Sequence, residues 1–420
     1  MPTDPSRSAN RSRLPSLTGL RFVAVLFVFA FHASLQAPFA DARLASAYAE
    51  LTANAGWLGV SFFFVLSGFV LTWSARPDDT ARRFWRRRAA KVYPLHIVTW
   101  GAALALLASA GTPAGVRQAV PNLFLVQTWV PDRDVFSSLN DVSWSLSAEV
   151  FFYLAFPLLI LAVRRIAPER LWLWAVASAA AVPLLPLLSE LLPPGDPLPF
   201  GSGSEEQFWF TYVLPIGRTL EFVLGILLAR MVLTGRRIPV NVPVAVALLA
   251  VGYAISLRLP FLYGLTSATV VPIGLLIVAV ARRDVAGRGS FLAGPVLVRL
   301  GEWSFAFYLT HRLLLQHGHR LLGEGRTFST PAAVALLVAA FALSLAISWL
   351  LHIAVERPAM TYLGRSRPDA PAPPPAPPAA PAPTGVAPAL PGTGGGAPAG
   401  GRRRPPAPTG TAPSPERHFR

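Results

Sequence analysis

The chain contains ten apolar runs of about 20 residues each, and this repetition limits its fold more than any other feature. A segment inside a bilayer must satisfy its backbone polar groups internally, so runs of this length predict membrane-spanning α-helices. Only 14% of the 420 residues are charged, against about a quarter in water-soluble proteins. The sequence therefore predicts an all-α, polytopic transmembrane bundle, with spans near 17–37, 57–74, 92–110, 143–163, 171–192, 209–230, 240–257, 262–281, 296–316 and 331–355.

The loops between these spans alternate in charge. Arginine and lysine collect in every second loop, and the loops between carry mainly Asp and Glu. By the positive-inside rule, both termini should be cytoplasmic in a multi-pass protein of the cell membrane. The 37 Lys and Arg form no single basic face, so the partner expected is the lipid bilayer and not nucleic acid. The absence of cysteine excludes disulfides and thiolate chemistry.

The composition changes after the last predicted span. Residues 363–420 consist largely of Pro, Ala and Gly, and such a segment cannot bury a core. We expect a disordered cytoplasmic tail there. The predicted organisation is thus a cytoplasmic N-terminus at 1–16, a membrane domain at 17–362 and this tail.

The first span carries a candidate catalytic residue. Arg21 and His32 are separated by ten residues without a charged or hydrogen-bonding side chain. In a helix, eleven steps of about 100° return His32 to the face of Arg21, about 16 Å further along. Ionisable groups are costly at this depth. His32 is therefore a candidate general base, the alternative being a buried histidine bonded to a neighbouring helix.

A second candidate site precedes the third span, in a loop rich in cations. Arg88 and Lys91 stand at i and i+3, so a helix would present both cations on one side, with Arg86 nearby. Guanidinium and ammonium groups at this spacing suit phosphate oxygens. The alternative is a cluster that sets the topology and contacts lipid headgroups.

A polar stripe opens the fourth span. Asp141, Ser145, Glu149 and Tyr153 recur every four residues and therefore share one helical face. A carboxylate at the depth of Glu149 needs a cavity or a partner. We expect Glu149 to orient the imidazole of His32. A structural ion pair is the alternative.

Other polar positions are weaker signals. Arg218 and Glu221, at i and i+3, should neutralise one another, and Ser67-Gly68 indicates close helix packing. Tyr308 and His311 are expected to line the same cavity as His32. Three further histidines are not clustered at metal-ligand spacing, so no metal site is expected: His317, His319 and His352.

Taken together, several segments resemble the acyltransferase-3 family of integral membrane acyltransferases. They follow the order of that family over about residues 14–362: LTGLRFVAVLFVFAFHA, GVSFFFVLSGFVLT, FWRRRAAKVYPL, VSWSLSAEVFFYLAFPLL, GRTLEFVLGILLA, WSFAFYLTH and VERP. The resemblance implies a ten-helix enzyme that moves an acyl group from cytoplasmic acyl-CoA, acetyl-CoA above all, to a hydroxyl. The acceptor would belong to a glycan or a secondary metabolite.

The resemblance also implies roles for residues. Arg21 and His32 match the family's Arg and His, and Arg88 and Lys91 match its RxxR motif, with Lys in the second position. Some relatives carry an added esterase-like domain, which is not expected in this chain. The implied mechanism has Arg88, Lys91 and Arg86 holding the CoA phosphates, with Arg21 assisting at the entry of the pantetheine arm. His32 then deprotonates the acceptor. A covalent acyl-His32 route and a transporter of an acylated or amphipathic molecule are the alternatives.

Overall fold

The computed structural model describes residues 14–76, 79–193, 195–323 and 325–364. Within these ranges the regular structure is helical, apart from two isolated β-bridges. The predicted all-α class is therefore confirmed. The predicted N-terminal segment 1–16 and tail 363–420 lie outside the described residues, except for 14–16 and 363–364.

The first half of the chain forms nine α-helices among the described residues. They are α1 Pro15–Ser34, α2 Ala42–Thr52, α3 Ala55–Ser74, α4 Ala81–Ser109, α5 Val116–Leu123, α6 Arg133–Phe136, α7 Trp144–Arg165, α8 Leu171–Ala181 and α9 Leu184–Ser189. Short 3₁₀ turns lie between them at Gln127–Trp129, Asp141–Ser143 and Pro168–Arg170.

In the second half, the described residues form eight further α-helices. They are α10 Glu205–Phe208, α11 Pro215–Leu233, α12 Val242–Ser256, α13 Phe261–Gly264, α14 Val270–Val285, α15 Pro295–Leu322, α16 Thr330–Leu351 and α17 Arg357–Tyr362. Two π-helical segments, Trp209–Val213 and His352–Glu356, precede α11 and α17, and a 3₁₀ turn at Phe291–Ala293 precedes α15.

Each predicted span contains at least one of these helices, but the number of membrane crossings stays a prediction. Among the described residues, five helical stretches are long and apolar enough to cross a bilayer: Pro15–Ser34, Ala42–Ser74, Ala81–Ser109, Asp141–Arg165 and Thr330–Tyr362. Two of the other predicted spans fall short of this length and apolar character because of identifiable residues. Helix α11 carries Arg218, Glu221 and Arg230, and the stretch of α8 and α9 is interrupted at Val182-Pro183.

Helix α3 lies at the centre of the bundle. In the most apolar 18-residue segment of Ala42–Ser74, 78% of the residues are buried inside the protein. The corresponding share for Thr330–Tyr362, at the periphery, is 11%. Glycines let α3 approach α11 closely, because a Cβ on Gly68 would lie 2.0 Å from the Phe222 carbonyl oxygen. A Cβ on Gly225 would lie equally close to the Val65 carbonyl oxygen. The close packing predicted at Gly68 is confirmed.

This contact predicts the effect of one added methyl group. Gly68→Ala should lower the free energy of unfolding by about 1–3 kcal/mol, because the new Cβ meets backbone and the helices must separate. Gly101→Ala is the matched control, since a Cβ there has no neighbour within 4 Å. Thermal unfolding of both variants in the same detergent would check this. Equal stability of the two would contradict the close approach of α3 and α11.

Helices α1 and α15 run parallel and α7 runs antiparallel to them. At one end a Cβ on Gly301 would lie 1.9 Å from the Thr18 carbonyl oxygen. At the other end His32 contacts His311, and Asp141 contacts Arg312. We call the end near Arg21, Arg88 and Lys91 the basic end, and the end near His32 the distal end. These three helices, together with α4, which carries Arg86, Arg88 and Lys91, thus bear the predicted site residues.

Candidate active site

Two cavities lie inside the bundle and meet. The basic cavity has a volume of about 150 Å³ and is lined by Arg21, Arg88, Lys91, Glu149 and Tyr153, among others. The histidine cavity has a volume of about 520 Å³ and is lined by His32, Asp141 and Arg312, together with many aromatic residues. Val60 and Tyr308 line both cavities. The predicted cationic and histidine sites therefore open onto adjoining spaces.

Arg21 and Arg88 are the cations of the basic cavity that stay without a carboxylate partner. Neither forms an ion pair within the described part of the chain. The guanidinium of Arg88 lies 5.6 Å from the ring centre of Phe84 and 5.9 Å from that of Tyr153. The indole of Trp85 donates to the Tyr153 carbonyl at 2.9 Å, which joins α4 to α7 beside the cavity. Two cations next to a cavity form a site for an anion.

Lys91 differs from Arg88, although both line the basic cavity. Its ammonium forms an ion pair with Glu356, whose side chain is only 2% exposed. Glu356 Oε2 also lies 3.3 Å from His352 Nδ1. The glutamate of the VERP segment thus neutralises the lysine of the cationic motif. Arg86 lies at the surface and is absent from the lining of the cavity.

Glu149 lies in the basic cavity, away from His32. Its Oε1 accepts hydrogen bonds from Ser67 Oγ at 3.3 Å and from the hydroxyl of Tyr153. The contact by which Glu149 was expected to orient the imidazole of His32 is therefore not found among the described residues. The reason is depth: Glu149 lies about two turns along α7 from Asp141, and Asp141 is the carboxylate that reaches the distal end.

The partner of His32 is a second histidine. His32 Nδ1 lies 3.0 Å from His311 Nε2, and His311 Nδ1 lies 3.0 Å from the carbonyl oxygen of Phe307. The side chain of His311 is fully buried. Of the two residues expected to line the same cavity as His32, Tyr308 does so, whereas His311 lies behind His32 and contacts it directly. Their contact needed the structure.

The polar stripe of α7 connects the two cavities. Asp141 Oδ2 accepts from Arg312 Nε at 2.8 Å beside the histidine cavity. One turn further, Ser145 Oγ lies 2.7 Å from the hydroxyl of Tyr308, where the cavities meet. Sequence reasoning missed Arg312. Its position next to His311 was the available signal.

A buried ion pair lies beside the cavities. Arg218 Nη2 donates to Glu221 at 2.5 Å and to Ser61 Oγ at 3.1 Å, and both charged side chains are 1% exposed. The guanidinium also lies 4.4 Å from the ring centre of Tyr212. The predicted mutual neutralisation of Arg218 and Glu221 is confirmed. Neither residue lines either cavity.

Comparison with known protein families bears on this arrangement. A model of the acyltransferase-3 family, described as an acyltransferase domain, matches residues 14–353. The chain belongs to this family. The match includes every residue named above as lining the two cavities, and the resemblance inferred from the ordered motifs is confirmed. The protein is therefore a membrane acyltransferase.

Individual relatives carry related names. The chain is 45% identical to acyltransferase MdmB of Streptomyces mycarofaciens over 379 residues, which are 87% of this chain and 96% of that protein. It is 28% identical to the putative peptidoglycan O-acetyltransferase YrhL of Bacillus subtilis (strain 168), over 50% of this chain and 33% of that protein. The putative O-acetyltransferase SACOL0978 of Staphylococcus aureus (strain COL) is 29% identical over 35% of this chain and 24% of that protein. No solved structure matches the chain.

Proposed function

We propose that this acyltransferase moves an acyl group, in particular acetyl, from cytoplasmic acyl-CoA to a hydroxyl of a carbohydrate or secondary-metabolite acceptor. It would do so in the plasma membrane, with both termini cytoplasmic and the basic end facing the cytoplasm. One observation carries the proposal: a cavity with unpaired cations meets a cavity with an imidazole, at Val60 and Tyr308. A phosphorylated thioester donor needs both environments.

The basic cavity suits the donor. Arg21 and Arg88 have no carboxylate partner among the described residues, so they are available to the CoA phosphates. Lys91 adds charge, but Glu356 offsets it, and Arg86 contributes only from the surface. The pantetheine arm is an extended chain and would run past Tyr308 towards His32. Along α1 the distance from Arg21 to His32 is about 16 Å.

The histidine cavity suits the acceptor. Its volume of about 520 Å³ falls within the range of about 300–1,000 Å³ that small-molecule sites occupy. Asp141, Arg133 and Arg312 offer polar contacts for hydroxyl groups. Aromatic side chains offer flat apolar faces for a sugar ring or an apolar scaffold: Phe31, Trp57, Trp144, Phe208 and Phe261.

The proposed reaction is a direct transfer. His32 takes the proton of the acceptor hydroxyl while that oxygen attacks the thioester carbonyl carbon. A new C–O bond forms and the C–S bond breaks. The departing sulfur takes the proton from His32 and leaves as the free thiol of CoA. Ester and thiol are the products, and His32 returns to its neutral state.

In this proposal Glu149 acts on the donor site, not on His32 as the sequence predicted. Its carboxylate faces the basic cavity with Tyr153, between Ser67 and the cations. We propose that it fixes Tyr153 under Arg88 and so keeps the guanidinium directed at the donor. Glu149→Gln should then raise the KM for acyl-CoA more than it lowers kcat.

The test of the function is release of free CoA by the purified wild-type protein in nanodiscs. Release that depends on both acetyl-CoA and a hydroxylated acceptor, with ester formation in equal amount, would support direct transfer. An acyl group trapped on His32 with donor alone would favour the covalent route. A transporter would release no CoA in response to acceptor, and no observation favours that alternative.

Donor binding gives a sharper prediction. Arg88→Ala should raise the Kd for acetyl-CoA about 10–100-fold, because a charged hydrogen bond contributes about 1.5–3 kcal/mol. Arg82→Ala is the matched control, since Arg82 is exposed on the same helix outside the cavity. Calorimetry at two salt concentrations would check this, and the wild-type affinity should fall with salt. Equal affinities of the two variants would remove Arg88 from the donor site.

A further inference from the structure

We infer that His311 is a positioning residue that sets the tautomer of His32 and stabilises its protonated form. This inference rests on the proposed role of His32 as the general base. It concerns a residue of α15 outside the motif that pairs Arg21 with His32. The argument depends on two hydrogen bonds and on the direction in which each must run.

The first bond fixes His311. Its Nδ1 lies 3.0 Å from the carbonyl oxygen of Phe307, one turn earlier in α15. A carbonyl oxygen only accepts, so the Nδ1 of His311 carries the hydrogen. The neutral imidazole then has its lone pair on Nε2. A backbone carbonyl inside a helix keeps its position, and this assignment does not depend on a mobile side chain.

The second bond transmits that choice to His32. His311 Nε2 lies 3.0 Å from His32 Nδ1. Because Nε2 of His311 can only accept, Nδ1 of His32 must donate. The lone pair of neutral His32 therefore lies on Nε2, the nitrogen not engaged with His311. That nitrogen is the one left for the acceptor hydroxyl, and His32 itself lines the cavity proposed for the acceptor.

The same bond supports the charged state of His32. When Nε2 of His32 takes a proton, Nδ1 continues to donate its hydrogen bond to Nε2 of His311. The His311 ring is polarised by this bond and by its own bond to the Phe307 carbonyl, which stabilises the positive charge on His32. His311 thus performs the orienting role that a carboxylate performs in many catalytic triads. It does so without adding a buried negative charge, which hydrocarbon surroundings penalise. The nearby charges, Arg312 and Asp141, already pair with one another.

Packing holds His311 in this orientation. Its ring stacks on that of Phe307, with ring centres 5.7 Å apart and planes inclined by 6°, and the ring centre of Phe29 lies 6.2 Å away. Close contacts at Gly19 and Gly301 hold α1 and its neighbours together at the other end. A half-turn of the ring would keep the stack but break the hydrogen bond from Nδ1 to the Phe307 carbonyl. The geometry therefore favours one hydrogen-bond direction.

Two variants separate this role from simple packing. His311→Phe keeps an aromatic ring but removes the acceptor, whereas His311→Gln retains an amide oxygen near the position of Nε2. We expect His311→Phe to lower kcat about 10–100-fold, a part of the 10²–10⁴-fold that a general base supplies, with the KM for acetyl-CoA unchanged. His311→Gln should recover most of the loss. Equal losses in both variants would overturn the inference.

Controls distinguish this inference from the proposed function. His96→Phe makes the same change at another buried histidine, which bonds the Asn122 carbonyl outside both cavities, and should keep its kcat. Adding His311→Phe to His32→Ala should cost nothing further if the two rings act as a unit. Wild-type kcat in His311→Phe with an inactive His32→Ala would reject only the role of His311. Full activity of His32→Ala would reject the proposed function itself.

Discussion

Replacing His32 with alanine should lower kcat for acyl transfer about 10²–10⁴-fold, the range that a positioned general base supplies. The acceptor hydroxyl would then have to lose its proton to water while it attacks. Donor binding should survive, because the unpaired cations Arg21 and Arg88 lie about three helical turns away at the basic end. The expected signature is a large fall in kcat with a Kd for acetyl-CoA close to that of the wild type.

The measurement is steady-state ester formation, normalised to correctly folded protein from size-exclusion chromatography. His96→Ala is the control, since His96 is a buried histidine that bonds only a backbone carbonyl and lines neither cavity. Loss of activity in both variants would indicate a general defect of folding. Normal turnover by His32→Ala would contradict the assignment of the base.

Much of the architecture was predictable because each helix is defined locally. Runs of about 20 apolar residues gave the positions of the helices, and the 3.6-residue repeat placed Arg21 and His32 on one face of α1. The same repeat gave the polar stripe from Asp141 to Tyr153, which does line the path between the cavities. The close approach at Gly68 followed from residue size. These features need no knowledge of which helices are neighbours.

Contacts between distant helices were not predictable from one sequence. The sequence places His32 and Glu149 at comparable depth, but in the structure the carboxylate that lines the cavity of His32 is Asp141, about two turns from Glu149 along the chain. The true partner, His311, lies 279 positions along the chain. The polar residues of α7 are one helical turn apart, and the depth of a residue estimated from sequence has an error of about one turn. Such an estimate cannot tell which of these residues lies at the level of His32.

The pairing of Lys91 with Glu356 shows the same limit in a different form. Both residues belong to segments that marked the family resemblance, FWRRRAAKVYPL and VERP, but nothing local says that they touch. The ion pair joins α4 to the π-helical segment before α17 across 265 positions. The ion pair also makes the two cations of the motif different. Lys91 is neutralised by Glu356, whereas Arg88 faces the cavity without a carboxylate partner in the described chain.

Removing one member of the Arg218–Glu221 pair should destabilise the protein more than any other single change considered. Arg218→Met leaves Glu221 buried without its cation, and breaking such a pair typically costs about 3–5 kcal/mol. Ser61 and the ring of Tyr212 cannot replace the guanidinium, since neither carries a charge. Protonation of Glu221 limits the cost, but the substitution also removes the hydrogen bond from Arg218 to Ser61 that joins α11 to α3.

The double variant Arg218→Met/Glu221→Leu should recover most of this loss, because it removes the uncompensated charge and fills the space with apolar side chains. Arg236→Ala is the matched control: its pair with Glu169 is at the surface, with side chains 42% and 70% exposed, and contributes about 0–1 kcal/mol. Thermal unfolding of these variants, of the single variant Glu221→Leu and of the wild type in one detergent checks the order. If the double variant lost as much stability as the two single changes added together, Arg218 and Glu221 would be acting separately. A stable Arg218→Met protein would contradict the expected cost of breaking this buried pair.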